Sequence, residues 1–454
     1  MFDIAINNGK VIDPANRVSS RLNIGVKDGR IAVISSERLE ADIEINASDA
    51  IVAPGFIDMH IHEDVYNKDT DSINYCISES MLKMGVTTAV GGNCGLSIGY
   101  KDEVEYLSAI DRLGSPVNIA MLCPHENLRN AFGNFDKYSP VDNGTIRKMY
   151  ALLEEKLSRG CLGLSVGLEY IPGVDANELE ALMETASKYD KITAVHMRSD
   201  AEASLAAVKE LLDATKGRAA LQISHLSSMC SFGQMEEALA LVDLSRSKDY
   251  DIAFDSYPYY AYCTFIGSAV FDEGFLEKYK LGKDAYSRIE IASGSYAGTR
   301  CDEELFLHIR NTDPQALAVA HLLDEREVDL SVTHPAGMTA SDGLLVGGLG
   351  HPRASGTFPR FINEYVNQKK LLSLEEALAK ITSMPAGRYG MDKGTLSLGA
   401  DADITIFSPM LKDNASFTEP LKAPSGIRNV IISGKLALEE GHIVNGRLGR
   451  AVRR

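Results

Sequence analysis

Between residues 54 and 390, short β-branched runs alternate with helical stretches about eight times, which restricts this part of the chain to parallel βαβ units. Candidate strands fall at 56–60, 86–90, 117–122, 162–166, 192–196, 220–225, 252–255 and near 339–342. Candidate helices fall at 78–83, 146–159, 176–188, 201–214, 235–246 and 374–382. Eight such units predict an α/β fold centred on a (β/α)8 TIM barrel. The two ends of the chain read differently. The first fifty residues show β runs around Asn8-Gly9 and Asp28-Gly29, dipeptides that supply the positive φ of tight hairpins. The last fifty show similar runs, with a turn at Ser433-Gly434. Neither end is long enough to bury a core alone. The expectation is therefore one small β-sandwich domain built from both ends, residues 1–54 and 391–454, with the barrel at 55–390 inserted between them. The stretch 261–332, rich in Gly, Ser and Tyr with weak helical pattern, reads as a loop insertion after the seventh strand and as a lid.

Composition narrows the function. Of 454 residues, 46 are Lys or Arg and 63 are Asp or Glu, a net charge of −17 that argues against nucleic acid and anionic membranes as partners. No apolar run approaches the roughly 18 residues of a membrane span. The N-terminus lacks the basic and apolar regions of a signal peptide, and seven unclustered cysteines read as reduced thiols, so a cytoplasmic protein is expected. A homo-oligomer is compatible with the sequence.

The sharpest chemical signal is Pro54-Gly55-Phe56-Ile57-Asp58-Met59-His60-Ile61-His62. Side chains alternate along a strand, so His60 and His62 face the same way. An isolated pair of this kind is more often packing than a site. The other histidines change that reading. His196 and His225 end candidate strands, Cys94 follows another in Gly91-Gly92-Asn93-Cys94-Gly95, and Asp342 closes Thr339-Ala340-Ser341-Asp342-Gly343. In such barrels the strand C-termini build the active site. A thiolate with several imidazoles suits zinc, which lowers the pKa of a bound water to about 7. Asp342 is the candidate proton carrier, and the reaction class is metal-assisted hydrolysis.

These segments resemble the amidohydrolase superfamily and, within it, the N-acyl-D-amino-acid deacylases. Gly92-Asn93-Cys94-Gly95, Gly167-Leu168-Glu169-Tyr170, His196-Met197-Arg198, Ser224-His225-Leu226, Asp255-Ser256-Tyr257-Pro258-Tyr259 and His351-Pro352-Arg353-Ala354 carry the likeness. The resemblance implies that Cys94, His196 and His225 hold a tight Zn2+. It implies that His60, His62 and Asp342 line a second, weaker position, with Cys94 able to bridge. It also implies that the substrate is a small-molecule amide, that Asp342 is the catalytic base and then acid, and that Tyr170, Tyr257 and Arg353 read the acyl-amino acid. Two positions depart from the family. Ser227 stands where a lysine is common, and Ser355 where a tyrosine is usual. Loss of the lysine weakens recognition of a free carboxylate, so the chemistry can persist with a changed preference.

The alternative is a cyclic-amide hydrolase of dihydroorotase or hydantoinase type. That branch bridges two metals with a carboxylated lysine from the fourth strand, and the run Cys161-Leu162-Gly163-Leu164-Ser165-Val166 has none. A metal-storing protein with a degenerate site is a further rival, disfavoured because every ligand type and Asp342 are present. His125 is open between a pocket and a structural role.

Overall fold

The computed structural model describes residues 1–97 and 102–454. Its centre is a ring of parallel strands: β1 (Phe56–Asp58), β2 (Val86–Gly91), β3 (Asn118–Met121), β4 (Gly163–Gly167), β5 (Ile192–His196), β6 (Leu221–Ile223), β7 (Ile252–Ser256) and β8 (Gly337–Thr339). Every residue of these strands is buried, because helices cover the ring outside and side chains fill it inside. Ile57, Val90, Ala120, Ala194, Ala253 and Met338, from β1, β2, β3, β5, β7 and β8, share one apolar cluster. Beyond Met121 the third strand resumes at Cys123–Pro124 and pairs with Leu164 and Ser165 of β4. The ring closes at an Ile61–Gly343 bridge, where Asp342 N donates to His60 O at 2.8 Å and His62 N donates to Gly343 O at 2.9 Å. The closing seam therefore runs through three of the residues singled out for chemistry.

Several helices start on an aspartate. Asp102, Asp142, Asp175, Asp302 and Asp324 each accept from backbone N–H groups of the first turn. Part of the acidic surplus thus sits where orphan N–H groups and the positive end of the helix dipole favour it.

The chain ends meet in one nine-stranded sheet, as the β-sandwich expectation requires. The N-terminal strands join the C-terminal ones where Ile51–Pro54 pairs with Ile404–Phe407. Ile4, Ile6, Ile24, Val52, Ile404 and Ile431 form their common core. Asp28-Gly29 turns a hairpin, with φ of 50° and 78°. Asn8-Gly9 does not. Phe2–Asp13 is one strand, and its register against Val18–Lys27 slips between Ile6 and Gly9. Asn8, at φ 68°, forms a bulge, which uses the same left-handed conformation as a turn without ending the strand.

The insertion is a folded layer and not an irregular loop. Tyr262–Phe265, Leu317–Ala320 and Ile289–Ile291 make a three-stranded antiparallel sheet with Leu317–Ala320 in the middle. Phe271, Phe275, Tyr286 and Phe306 pack ring against ring beside it. The later helix Glu325–Thr333 packs on β7 and β8 and belongs to the barrel wall. Among the described residues, no helix is long and apolar enough to cross a membrane.

Candidate active site

Each of the six predicted ligands sits at or just beyond the C-terminal end of a barrel strand, and the structure brings all six together. His60 and His62 follow β1, Cys94 follows β2, His196 ends β5, His225 follows β6 and Asp342 follows β8. Three of them adopt left-handed backbone: Cys94 at φ 55°, His225 at 34° and Asp342 at 49°. For a non-glycine residue this costs of order 1–3 kcal/mol, and such strain concentrates at functional sites. The Cys94 turn is pressed against β4. A Cβ on Gly167 would lie 2.1 Å from Cys94 O, so only glycine fits there. Ser165 of β4 secures the same turn by donating to Gly92 O and accepting from Gly95 N at 3.1 Å.

The donor atoms form two overlapping groups. In one, Cys94, His196 and His225 place a sulfur and two nitrogens within 4.8 Å of one another. In the other, His60, His62, Cys94 and Asp342 do the same. Cys94 Sγ lies 3.3 Å from both His60 Nε2 and His225 Nε2. Asp342 Oδ1 lies 3.4 Å from His60 Nε2 and 3.2 Å from His62 Nε2. All six residues are buried.

The outer nitrogens of three histidines are tied down. His60 Nδ1 meets Asp255 Oδ1 at 3.1 Å, His225 Nδ1 meets Ser228 Oγ at 3.0 Å, and His196 Nε2 meets Glu169 Oε2 at 3.0 Å. Such contacts fix the ring and the tautomer, leaving the other nitrogen to ligate. Among the described residues, His196 Nδ1 is buried without a hydrogen bond, as is His62 Nδ1. Asp255 also accepts from His225 N at 2.9 Å, so one carboxylate braces ligands from two strands.

Electrostatics favour the ligating forms of the acids. Burial opposes ionisation of Cys94, yet His60 and His225 beside it bring the thiol well below its ordinary value. Burial also opposes ionisation of Asp342, but Arg353 at 2.8 Å and His60 hold its carboxyl well below the usual carboxylate range. His62 and His196 are pushed up to about 9: burial works against the charge, and the carboxylate and thiolate neighbours outweigh it.

The predicted substrate residues are placed less uniformly. A small cavity opens beside the cluster, lined among others by Tyr170, Tyr257, His196, His225 and Asp342. The Tyr170 ring lies 4.5 Å from the His196 ring, tilted 52° to it, and its hydroxyl shares a hydrogen bond with Thr264 Oγ1 at 3.2 Å. Arg353 is not in the cavity wall. It is 1% exposed, lies over the Tyr257 ring at 4.6 Å, and gives Nη2 to Asp342 Oδ2 and to Cys263 O. Its Nε and Nη1 have no hydrogen-bond partner among the described residues. His125 stands apart, in a buried network where Glu178 meets it at 2.7 Å and Arg129 at 2.8 Å.

Sequence reasoning left Asp255, Glu169, Ser228, Asp200 and Lys278 without roles. Asp255 carried a usable signal, a polar residue near the end of a buried strand. Lys278 carried none, since it reaches the site from the insertion.

Comparison with known proteins agrees with this geometry. Amidohydrolase family models match residues 51–244 and 333–437. The N-acyl-D-glutamate deacylase of Alcaligenes xylosoxydans xylosoxydans is 30% identical over 100% of this chain and 97% of its own length. The D-aminoacylase of the same organism is 29% identical over 100% of this chain and 98% of its own. The crystal structure of N-acyl-D-glutamate deacylase from Bordetella bronchiseptica, complexed with zinc and a phosphonate mimic of the tetrahedral intermediate, superposes with a TM-score of 0.88 at 30% identity, covering 100% of both chains.

Proposed function

The chain belongs to the N-acyl-D-amino-acid deacylases of the amidohydrolase family, and on that premise we propose that its strand-end cluster hydrolyses the linear amide of an N-acyl-D-amino acid, with zinc as the metal and Asp342 as the proton carrier. The observation that carries the reading is Cys94, a buried cysteine shared by two ligand groups whose members His196, His225 and Asp342 line one cavity. The residues fit zinc. They offer sulfur, imidazole and carboxylate donors within 4.8 Å, and His196 Nδ1 is a buried nitrogen with no hydrogen bond among the described residues. Cys94, His196 and His225 would hold the tighter ion, and His60, His62 and Asp342 would line a second, weaker position that Cys94 also reaches. Zinc bound there supplies Lewis acidity toward the amide carbonyl and toward water.

The chain's own residues supply the proton traffic and the binding. Asp342 takes a proton from the attacking water and returns it to the departing amine. Arg353 holds Asp342 as a carboxylate, and its free Nε and Nη1 donors suit the substrate's α-carboxylate, a planar match for a guanidinium fork. A substrate that engages Arg353 draws countercharge away from Asp342 and makes it a stronger base. Tyr170 and Tyr257 wall the cavity and orient the acyl-amino acid. The strand position where a bridging lysine would serve the cyclic-amide branch is taken by β4, whose Ser165 and Gly167 support the Cys94 turn instead.

The test is a panel of N-acetyl-D- and N-acetyl-L-amino acids beside hydantoin and dihydroorotate, run on zinc-loaded protein with release of primary amine as the readout. Amine release from D-substrates is expected. Ring opening of the cyclic amides with no amine release, or no turnover at full zinc loading, overturns the proposal.

A further inference from the structure

Arg353 is held at both ends. Its guanidinium meets Asp342 at 2.8 Å, and its backbone N–H donates to His351 Nδ1 at 3.0 Å. Arg353 opens the helix Arg353–Phe361, and the first N–H groups of a helix have no partner inside it. Pro352, just before it, has no side-chain acceptor, so the imidazole one residue earlier takes the N–H. His351 is fully buried. Burial, and then the Arg353 guanidinium, hold its imidazole well below the ordinary value, so it is neutral and accepts at Nδ1. The ring itself is fixed from the β-sandwich side. It meets the Tyr259 and Phe417 rings edge to face, each at 5.0 Å. Phe417 sits in the loop 413–424, which joins Ile404–Lys412 to Ser425–Ile432 of the nine-stranded sheet. Its ring also lies 4.7 Å from His321, just past the insertion strand Leu317–Ala320. Asp413 of the same loop accepts from Tyr259 OH at 2.8 Å. The helix packs directly on this loop: a Cβ on Gly356 would lie 2.1 Å from Asp413 Oδ1. His351 and Phe417 both stand outside the cavity wall.

Resting on the deacylase reading above, with Asp342 as its proton carrier, we propose that His351 and Phe417 are positioning residues for the reaction. Phe417 of the β-sandwich loop locks the His351 ring, His351 locks the Arg353 backbone, and Arg353 thereby presents the Asp342 carboxylate at a fixed angle. Without the imidazole acceptor, a buried N–H is left unpaired, and the helix start relieves that cost by moving. The guanidinium moves with it and takes Asp342 along. Proton transfer is sensitive to such shifts, since a misplacement of about 1 Å costs on the order of 10²-fold in rate. The β-sandwich domain thus reaches the chemistry through a chain of contacts that begins at a residue outside the cavity.

The experiment measures kcat, zinc content and Tm of the zinc-loaded full-length protein for His351→Phe, His351→Asn, Phe417→Ala and Phe417→Leu, with kcat taken well below Tm on an N-acetyl-D-amino acid that the parent hydrolyses. Phenylalanine keeps a ring and has no acceptor. Asparagine gives up the ring, yet its Oδ1 accepts from the N–H two residues on, the contact of an Asx turn. His351→Phe is expected to lower kcat about ten-fold or more at unchanged tight-site zinc, and His351→Asn to recover to within about three-fold of the parent. Phe417→Ala is expected to lower kcat about five-fold, and Phe417→Leu, which keeps an apolar cover on the imidazole, to restore most of it. A merely structural role would lower Tm and leave the kcat of the folded, zinc-loaded variants at the parent value. Parent-like kcat in His351→Phe and Phe417→Ala, or a loss that asparagine and leucine do not rescue, overturns the inference while leaving the deacylase intact. Should the His351 variants fail to fold, the half-buried Phe417 pair decides by the same criterion. A parent without turnover on any N-acetyl-D-amino acid overturns the deacylase reading and this inference with it.

Discussion

Replacing Asp342 with alanine separates the metal from the chemistry. Cys94, His196 and His225 form a ligand group that does not include Asp342, so the variant should keep its tightly bound zinc. The proton carrier is gone, however, and general acid–base catalysis by a positioned side chain is worth about 10²–10⁴-fold, or roughly 3–5 kcal/mol of barrier. The substitution also strands Arg353, a guanidinium 1% exposed whose sole carboxylate partner among the described residues is Asp342, at 2.8 Å. Breaking a buried ion pair by removing one partner costs about 3–5 kcal/mol of stability. Asp342→Ala should therefore show near-normal stoichiometry at the tight site, a markedly lower Tm, and kcat/KM on an N-acetyl-D-amino acid down by at least about 100-fold. Asp342→Asn keeps the volume and an acceptor oxygen for Arg353, so it should recover part of the Tm and none of the activity. The assay pairs elemental zinc analysis and thermal melting with amine release. Activity within a few-fold of the parent in either variant, at full zinc, would remove Asp342 from the reaction.

Three further outcomes follow from the same geometry. Cys94→Ala takes a donor from both ligand groups and should lower zinc content; unchanged stoichiometry by elemental analysis would reject the thiolate as a ligand. Zinc affinity should climb as pH rises toward about 9 and level off above it. His62 and His196 keep their protons up to about 9 and must lose them to ligate, so acid favours the protonated, metal-free form. Chelator competition across this range reads the effect, and a flat profile below pH 9 would contradict the assignment. Arg129→Met leaves Glu178 buried with His125 as its one remaining ion-pair partner among the described residues, and should cost about 3–5 kcal/mol of stability by denaturant unfolding with zinc content unchanged; lost zinc would tie that network to the site.

Much of this molecule is written locally. A parallel strand covered on both faces reads as a near-continuous buried run, so β2 and β5 stand out in the sequence as β-branched segments. Active-site residues of a barrel ride on the ends of those runs, which is why Cys94, His196, His225 and Asp342 could be picked out one strand at a time. Asp28-Gly29 and Asn8-Gly9 mark where that local code stops. Both dipeptides specify left-handed backbone, but only pairing with neighbouring strands decides whether that makes a turn or a bulge. Charge partners lie further outside the code. Arg353 pairing with Asp342, Asp255 bracing two histidines, and Lys278 settling between Glu169 and Asp200 join residues from different strands or from the insertion, and each pairing depends on distances set only once the ring has closed. Sequence thus determined which donor atoms the chain owns and at which strand ends they stand, because periodicity and burial act over a few residues. Tertiary structure decided which charges face each other, because Coulomb attraction between buried groups depends on separation in space and is indifferent to separation along the chain.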